Sequence, residues 1–326
     1  MKITLSHGSG GKSTSELIDR VFAKHFSNPI LNMMEDSAVV DGSSKIAVTT
    51  DSFVVTPVIF RGGNIGRLCV CGTVNDLLMR GARPKYITTA FIIEEGADFD
   101  TLETIAKSIA DTAKEAGVTV ICGDTKVIEG NGGIYINTTG VGFVKESTDI
   151  VSTNLRTGDA VIVSGNMGDH HAAILSERMN IENSIESDNA PLCEMVEKML
   201  RQGIELHAMR DVTRGGLATV LNELADASRV SIELEEDKIP VNIEVEAFAK
   251  ILGLNIYHMG NEGKLVAVMP KEQAQKALEI IRGSKYGENA SIIGEVKAGH
   301  GVTLITSIGG RRTLNVLYGE GLPRIC

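Results

Sequence analysis

The 326-residue chain contains no tryptophan and few other aromatics, 8 Phe and 5 Tyr. That scarcity argues against a stacking surface for bases or sugars. An excess of positive charge is missing too: 32 Lys and Arg stand against 42 Asp and Glu, a net charge of −10. Nucleic acid and anionic membrane each demand a basic face, so neither is expected as a partner. No apolar run approaches the ~20 residues that a spanning helix needs. The opening Met1-Lys2-Ile3-Thr4-Leu5-Ser6-His7-Gly8 turns polar too soon for a signal peptide. The five cysteines (Cys69, Cys71, Cys122, Cys193 and Cys326) are odd in number and widely spread, which speaks against a disulfide framework. The seven histidines form no H-x-x-E-H or H-E-x-x-H arrangement and C-x-x-C is absent, so no structural zinc is expected. From these features the compartment is expected to be the cytoplasm.

What is present is the balance of a folded protein, 43% hydrophobic and 23% charged. The length favours two domains. Glycine is enriched, 35 residues where average usage gives about 23, which points to tight turns and backbone-lined sites. Periodicity predicts strand Ile46–Thr50 and helix Gly66–Arg80, stopped by Gly81-Ala82-Arg83-Pro84. Strand Tyr86–Ile93 follows, then a helix capped by Asp98 and closed at Gly117, then strands Val118–Cys122 and Ile134–Val144. After the polar stretch Lys145–Asp159, strand Ala160–Ser164 opens a second unit. Its helices lie near His170–Met179, Pro191–Gln202, Gly215–Ser228, Ile243–Leu252 and Lys271–Arg282. Strands Ser231–Leu234, Lys264–Met269, Ser291–Glu295 and Val302–Thr306 fall between or after them. The expected division is a Gly-rich segment 1–40, a first domain 41–150, a second domain 151–310 and a mobile tail 311–326. The fold class is α/β (α+β), two mixed α/β domains.

Tyr86–Ile93 and Ile134–Val144 carry no charged residue on either alternation face. Strands of that kind have both faces covered. Helices of the first domain cover one face, and a second sheet covers the other. A homodimer joined sheet to sheet is the favoured source of that sheet; burial against the second domain is the alternative.

Ser6-His7-Gly8-Ser9-Gly10-Gly11-Lys12-Ser13-Thr14 comes close to a P-loop, but the first glycine of that pattern falls on Ser6 and no apolar strand precedes it. A Gly-rich lid over phosphates, with Gly10, Gly11 and Lys12 touching them, is one reading; a linker is the other. Five carboxylates then stand among small residues: Asp36, Asp51 in Thr49-Thr50-Asp51-Ser52, Asp76 in Gly72-Thr73-Val74-Asn75-Asp76, Asp124 in Cys122-Gly123-Asp124-Thr125-Lys126, and Asp211 in Arg210-Asp211-Val212-Thr213-Arg214. Asp51 and Asp124 are expected to end strands, where open α/β sheets place ligands. Carboxylates approach a nucleotide's phosphates only through Mg²⁺, which takes hard oxygen ligands. Singly, each Asp also fits a cap or turn; jointly they suit a metal-dependent nucleotide site. Thr125 beside Asp124 joins that set. In the second domain Ser164-Gly165-Asn166-Met167-Gly168-Asp169-His170-His171 lies between a strand and a helix, where backbone N–H groups can bind an anion, with Asn166 at the loop's centre. Cys69, Cys71, Cys122 and Cys193 read as small core residues.

Cys326 is the final residue and lies outside any prenylation box, which needs cysteine fourth from the end. From Arg311 the chain can extend about 50 Å at ~3.3 Å per residue. A thiol on such a tether suits a carrier arm; an accidental terminal thiol is the bland alternative.

Taken together, Thr50-Asp51-Ser52, Cys71-Gly72-Thr73-Val74-Asn75-Asp76-Leu77, Gly81-Ala82-Arg83-Pro84, Gly123-Asp124-Thr125-Lys126, Arg210-Asp211 with Thr213-Arg214-Gly215-Gly216-Leu217-Ala218, Gly260-Asn261-Glu262-Gly263 and Pro323-Arg324-Ile325-Cys326 resemble one family. It is the HypE family of hydrogenase maturation factors, in the PurM-like (aminoimidazole ribonucleotide synthetase-like) ATP-dependent superfamily. The resemblance spans nearly the whole chain. It implies a homodimer whose first-domain sheets form a shared barrel, with ATP and Mg²⁺ held near that interface. It implies an activity as well: ATP-dependent dehydration of a carbamoyl group on Cys326 to a thiocyanate, which supplies the cyanide ligands of [NiFe]-hydrogenase. A carbamoyltransferase, HypF, is the implied donor, and an iron-bearing HypC–HypD scaffold the acceptor.

The residues agree with such chemistry. A carbamoyl oxygen leaves only after phosphoryl transfer converts it to a phosphate ester, a step that needs positioning and charge neutralisation. Asp36, Asp51, Asp76, Asp124 and Asp211 are the expected Mg²⁺ ligands. Removing the nitrogen protons needs a base, for which Glu262 and Lys126 are the candidates. Lys126 alternatively stabilises the phosphate charge. One rival is another PurM-like enzyme, such as thiamine-monophosphate kinase or aminoimidazole ribonucleotide synthetase, though a soluble substrate needs no tethered thiol. A metal-carrying scaffold is a second rival, disfavoured by a lone thiol without Cys or His neighbours.

Overall fold

A computed structural model describes residues 2–8, 12–34 and 37–317. Gly10, Gly11, Asp36 and Cys326 lie outside these described residues.

The first sheet comprises β1 (Ile46–Phe53), β2 (Arg83–Glu94), β3 (Thr119–Ile128) and β4 (Ile134–Phe143) in the order β1-β4-β2-β3. β4 runs antiparallel to both β1 and β2, whereas β2 and β3 are parallel. The sheet is open; no closed barrel forms within the chain's described residues. Helices α1 (Ile65–Met79) and α2 (Phe99–Ala116) belong to this domain. Asn64 caps α1 by accepting the Gly66 and Arg67 N–H groups at 2.9 and 3.1 Å. Asp98 caps α2 through the Asp100 N–H at 2.9 Å, and Gly117 closes it at φ +70°. Between them α2 buries Phe99, Leu102, Ile105, Ile109 and Ala113, as their helical spacing requires.

The second domain holds β5 (Asp159–Val163), α3 (Asp169–Arg178), α4 (Cys193–Arg201), β6 (Ala208–Asp211), α5 (Gly216–Ser228), β7 (Ser231–Glu235), α6 (Ile243–Leu252), β8 (Leu265–Pro270), α7 (Lys271–Arg282), β9 (Ser291–Lys297), β10 (Gly301–Ile305) and β11 (Arg311–Thr313). Its strands run β11-β10-β7-β9-β5-β8-β6, with β10 and β7 the parallel pair. One hydrophobic core runs through both domains, joining Leu78 of α1 to Met195 and Met199 of α4 and Ile281 of α7. The other face of the second sheet packs Val163, Ile232 and Val302 against Leu217, Leu221 and Leu224 of α5.

Several expectations are corrected. β3 does not stop at Cys122: Asp124, Thr125 and Lys126 are paired within it, and β1 likewise continues past Asp51. Gly123 is a strand residue there, because a Cβ would stand 2.8 Å from the Thr89 carbonyl oxygen. The N-terminal segment holds helical turns from Lys12 to Phe26 that bury Leu17, Val21, Phe22 and Phe26, with the Phe22 and Phe91 rings 4.6 Å apart. Chain beyond Arg311 is docked at first: β11 pairs with β10, Leu314 is buried, and His258 Nε2 lies 2.8 Å from the Asn315 carbonyl oxygen. Cys69 and Cys71 are core residues, but Cys122 and Cys193 are only half-buried.

The second domain does not cover the outer face of the first sheet. Ile46, Val48 and Ile92 are 54%, 61% and 44% exposed there. Across from them stand Phe143, Val141 and Tyr135. Among the described residues, no helix is long and apolar enough to cross a membrane.

Candidate active site

Close packing of α1 on the first sheet builds the site. A Cβ on Gly72 would meet the Phe53 ring at 2.9 Å, and one on Gly140 would meet Thr73 Cγ2 at 2.6 Å. Thr73 and Thr138 join their hydroxyls at 2.5 Å beneath the helix. Small residues therefore bring α1 down onto β1 and β4, and Asp76 arrives beside the inward face of β1. Thr49 Oγ1 donates to Asp76 Oδ2 at 2.7 Å. Asp51, two residues further along β1, shares that face.

The second domain closes the other side. β6 ends at Asp211, and the turn beyond it carries Thr213 and Arg214. Asp51, Asp76, Asp211, Arg210, Arg214 and Glu262 line one cavity of about 460 Å³ between the domains. Three aspartates and a glutamate in one enclosure hold their protons tightly. Burial, then the neighbouring Asp76, pushes Asp51 up to about 6 against the pull of Arg214. Burial and Asp76 also push Asp211 to about 7, and burial raises Asp76. Glu262 is 4% exposed and stands well above the ordinary carboxylate range, first through burial and then through Asp211 and Asp188.

That cavity unites Asp51, Asp76, Asp211 and Glu262, while the other candidates among the described residues lie elsewhere. Asp124 and Lys126 pair with each other at 2.8 Å, both more than half exposed. Their cross-strand neighbours are Ala90 and Ile92, which puts them on the outer face of the sheet, opposite to Asp51. Thr125 and both of them line a second cavity with Thr14, Met34 and Ser37 of the N-terminal segment. Lys12 is exposed and paired with Glu16 at 3.8 Å. Asn166 lines a third cavity among Asp169, Asp188, Glu186 and Glu288. The backbone N–H groups of Met167, Gly168 and His171 already donate to Pro240 O, Asn261 Oδ1 and Gly260 O, so the Ser164–His171 loop offers an anion less than its sequence suggests.

Among the described residues, no group of three or more His, Cys, Asp or Glu is arranged as a ready metal cage. The Asp51–Asp76–Asp211 set still fits Mg²⁺, which takes one or two carboxylates plus substrate phosphates rather than an all-protein cage. Hard oxygens whose mutual repulsion and burial hold protons are the donors that a divalent cation would relieve.

Arg210 and Arg214 belong to the cavity without having been singled out, although both flank Asp211 in sequence. Asp188 was missed because Ser187-Asp188-Asn189 carries no signal of its own.

Comparison with known proteins agrees with this architecture. Residues 34–144 match the family of AIR synthase related proteins through its N-terminal domain, and residues 156–307 match its C-terminal domain. The chain is 45% identical over 332 residues to carbamoyl dehydratase HypE of Bradyrhizobium diazoefficiens, covering 99% of this chain and 96% of that one. A crystal structure of hydrogenase maturation protein HypE in complex with ATP superposes with a TM-score of 0.95 at 42% identity, over 99% of each chain. HypE in a crystallised HypE–HypF complex superposes with a TM-score of 0.82 at 44% identity, over 92% of this chain and 99% of that one. With both domains matched and relatives this similar over nearly their full length, the chain belongs to the HypE family of carbamoyl dehydratases, proteins of hydrogenase maturation.

Proposed function

We propose that the protein uses ATP to dehydrate a carbamoyl group carried on Cys326, turning the S-carboxamide into an S-cyanate destined for the iron of [NiFe]-hydrogenase. The observation that carries this reading is the enclosure of Asp51, Asp76, Asp211 and Glu262 with Arg210 and Arg214. Triphosphate chemistry needs just such paired carboxylates and cations. The carbamoyl oxygen attacks the γ-phosphorus and ADP leaves. The C–O bond of the resulting phosphate ester then breaks, phosphate departs, and the nitrogen gives up its protons as the C≡N bond forms. Asp51, Asp76 and Asp211, with Asp36, would hold Mg²⁺, which would neutralise phosphate charge. Arg210 and Arg214 face the same charge. Glu262 takes a proton from the nitrogen; burial and the Asp211 and Asp188 charges make it a strong base but oppose its ionisation, which Arg214 favours only weakly and a divalent cation at the neighbouring aspartates would favour further.

Lys126 and Asp124 enter from a second copy. The outer faces of β1 and β4, uncharged and at least partly exposed, support this, as does the placement of Asp124 and Lys126 on the same side of the sheet. Two copies stacked there give the homodimer with a shared barrel, and Lys126 then faces the phosphate charge. HypF delivers the carbamoyl group, HypC–HypD receives the cyanide, and the Gly10–Lys12 segment completes the nucleotide site. Val316 to Cys326 spans up to about 33 Å at ~3.3 Å per residue, the reach of a tethered thiol.

Equilibrium dialysis with ATP and Mg²⁺ tests the nucleotide site. Binding by the wild type that is lost in Asp76→Asn supports it; equal binding by both contradicts it. Carbamoylated protein carrying Glu262→Gln or Lys126→Ala is expected to stall before water loss.

A further inference from the structure

Asp188 is a buried carboxylate that the reaction above leaves unused. Its side chain is 3% exposed. Oδ1 accepts the backbone N–H of Glu262 at 2.9 Å. Oδ2 has no hydrogen-bond partner among the described residues and faces Lys264 Nζ at 3.7 Å, a side chain itself 10% exposed. Gly165 leaves the space in which Lys264 lies, since a Cβ there would stand 3.0 Å from Lys264 Cε.

Glu262 needs such support. It sits between Asn261 and Gly263 in a loop that begins at Gly260. Upstream, the Asn261 side chain accepts the Gly168 N–H at 2.7 Å and donates to Val212 O at 3.0 Å. Downstream, the chain presses against residues 188–190: a Cβ on Gly263 would lie 1.9 Å from the Asp188 carbonyl oxygen and 2.7 Å from Ala190 N. The contacts on either side are neutral. The bond to the backbone of Glu262 itself is made by a carboxylate, and charge-assisted bonds of that kind are roughly twice as strong as neutral ones.

We propose that Asp188 is the positioning residue for Glu262: paired with Lys264, it clamps the Glu262 N–H and so aims the carboxyl into the cavity shared with Asp51 and Asp211. This rests on the reading of Glu262 as proton acceptor. A glycine-flanked loop released from its clamp samples other backbone angles, and a displacement of ~1 Å at a reacting group costs on the order of 100-fold in rate.

The test follows ATP-dependent water loss from the carbamoylated full chain. Asp188→Ala is expected to lower kcat on the order of 100-fold while KM for ATP moves less than about twofold. Asp188→Asn keeps an oxygen to accept the N–H without the charge, and is expected to recover to about tenfold below wild type. In a Glu262→Gln background, Asp188→Ala is expected to add less than about twofold. Wild-type kcat in either single variant overturns the inference, as does a rise in KM matching the fall in kcat, or full multiplication with Glu262→Gln. Should Asp188→Ala not fold, Asp188→Asn carries the test by the same kcat and KM criteria. Unchanged turnover in Glu262→Gln alone instead removes the proton-acceptor reading on which the inference stands, so the two failures are distinct.

Discussion

Asn75 bonds across the domain junction to Ala190: its Nδ2 donates to the Ala190 carbonyl oxygen at 3.0 Å, while its Oδ1 accepts the Leu192 N–H at 2.9 Å. Asn75 precedes Asp76 on α1, and Ala190 touches the Glu262 loop. One buried amide therefore ties the helix that bears a candidate metal ligand to the segment that supports the candidate base. Asn75→Ala leaves a buried carbonyl and a buried N–H without partners. Unfolding in urea is expected to show a loss of about 2–4 kcal/mol. A loss below about 0.5 kcal/mol would show that the junction relaxes around the gap.

Asp211 illustrates function opposed to stability. Its carboxyl is crowded by burial and by Asp76. Asp211→Asn removes that repulsion, so the unliganded variant is expected to melt at the wild-type temperature or above while ATP-dependent water loss falls by on the order of 100-fold. Differential scanning calorimetry beside a turnover assay separates the two effects.

Glu115 supplies a pH dependence far from the cavity. Burial works against its ionisation, but hydrogen bonds from Lys285, Tyr286 and Arg67 outweigh that and bring it down to about 2. Because the folded value lies below the unfolded one, its contribution is present above about 4.5 and is lost as pH falls toward 2. Allowing for its partial exposure, that contribution is about 2 kcal/mol. Glu115→Gln is expected to unfold more easily than wild type at pH 7 and to lose less stability between pH 4.5 and 2. Parallel acid-unfolding curves would contradict this.

The outer sheet face bears on assembly. Val48→Lys changes a residue that is 61% exposed in the single chain, so its fold should stand. Light scattering is expected to find a dimer for the wild type and a monomer for the variant. A wild-type monomer would remove the shared barrel, and with it the route by which Lys126 joins the site.

Element types were legible because their signals are local. Asp98 and Gly117 bound a helix whose buried residues recur at 3.6 spacing, and that helix is found where the pattern puts it. The strand past Cys122 was not legible, since glycine there reads as a turn when no partner strand is known; the nearby Thr89 carbonyl oxygen is the reason for it. The short edge strand Ala208–Asp211 was equally hidden, because four residues carry too little periodicity to register. For the site, small neighbours marked Asp51, Asp76 and Asp211 as unusual, but only the docking of α1 on β1 and the approach of β6 bring them together. Asp188 lies 74 residues from the Glu262 backbone it holds, a relation that no local pattern encodes.

The most direct measurement is the mass of the C-terminal peptide after the protein is incubated with HypF, a carbamoyl source, ATP and Mg²⁺. Cys326 is expected to gain a carbamoyl group and then lose one water only when ATP is present. A peptide that stays unmodified, or that loses water without ATP, would contradict the carrier mechanism.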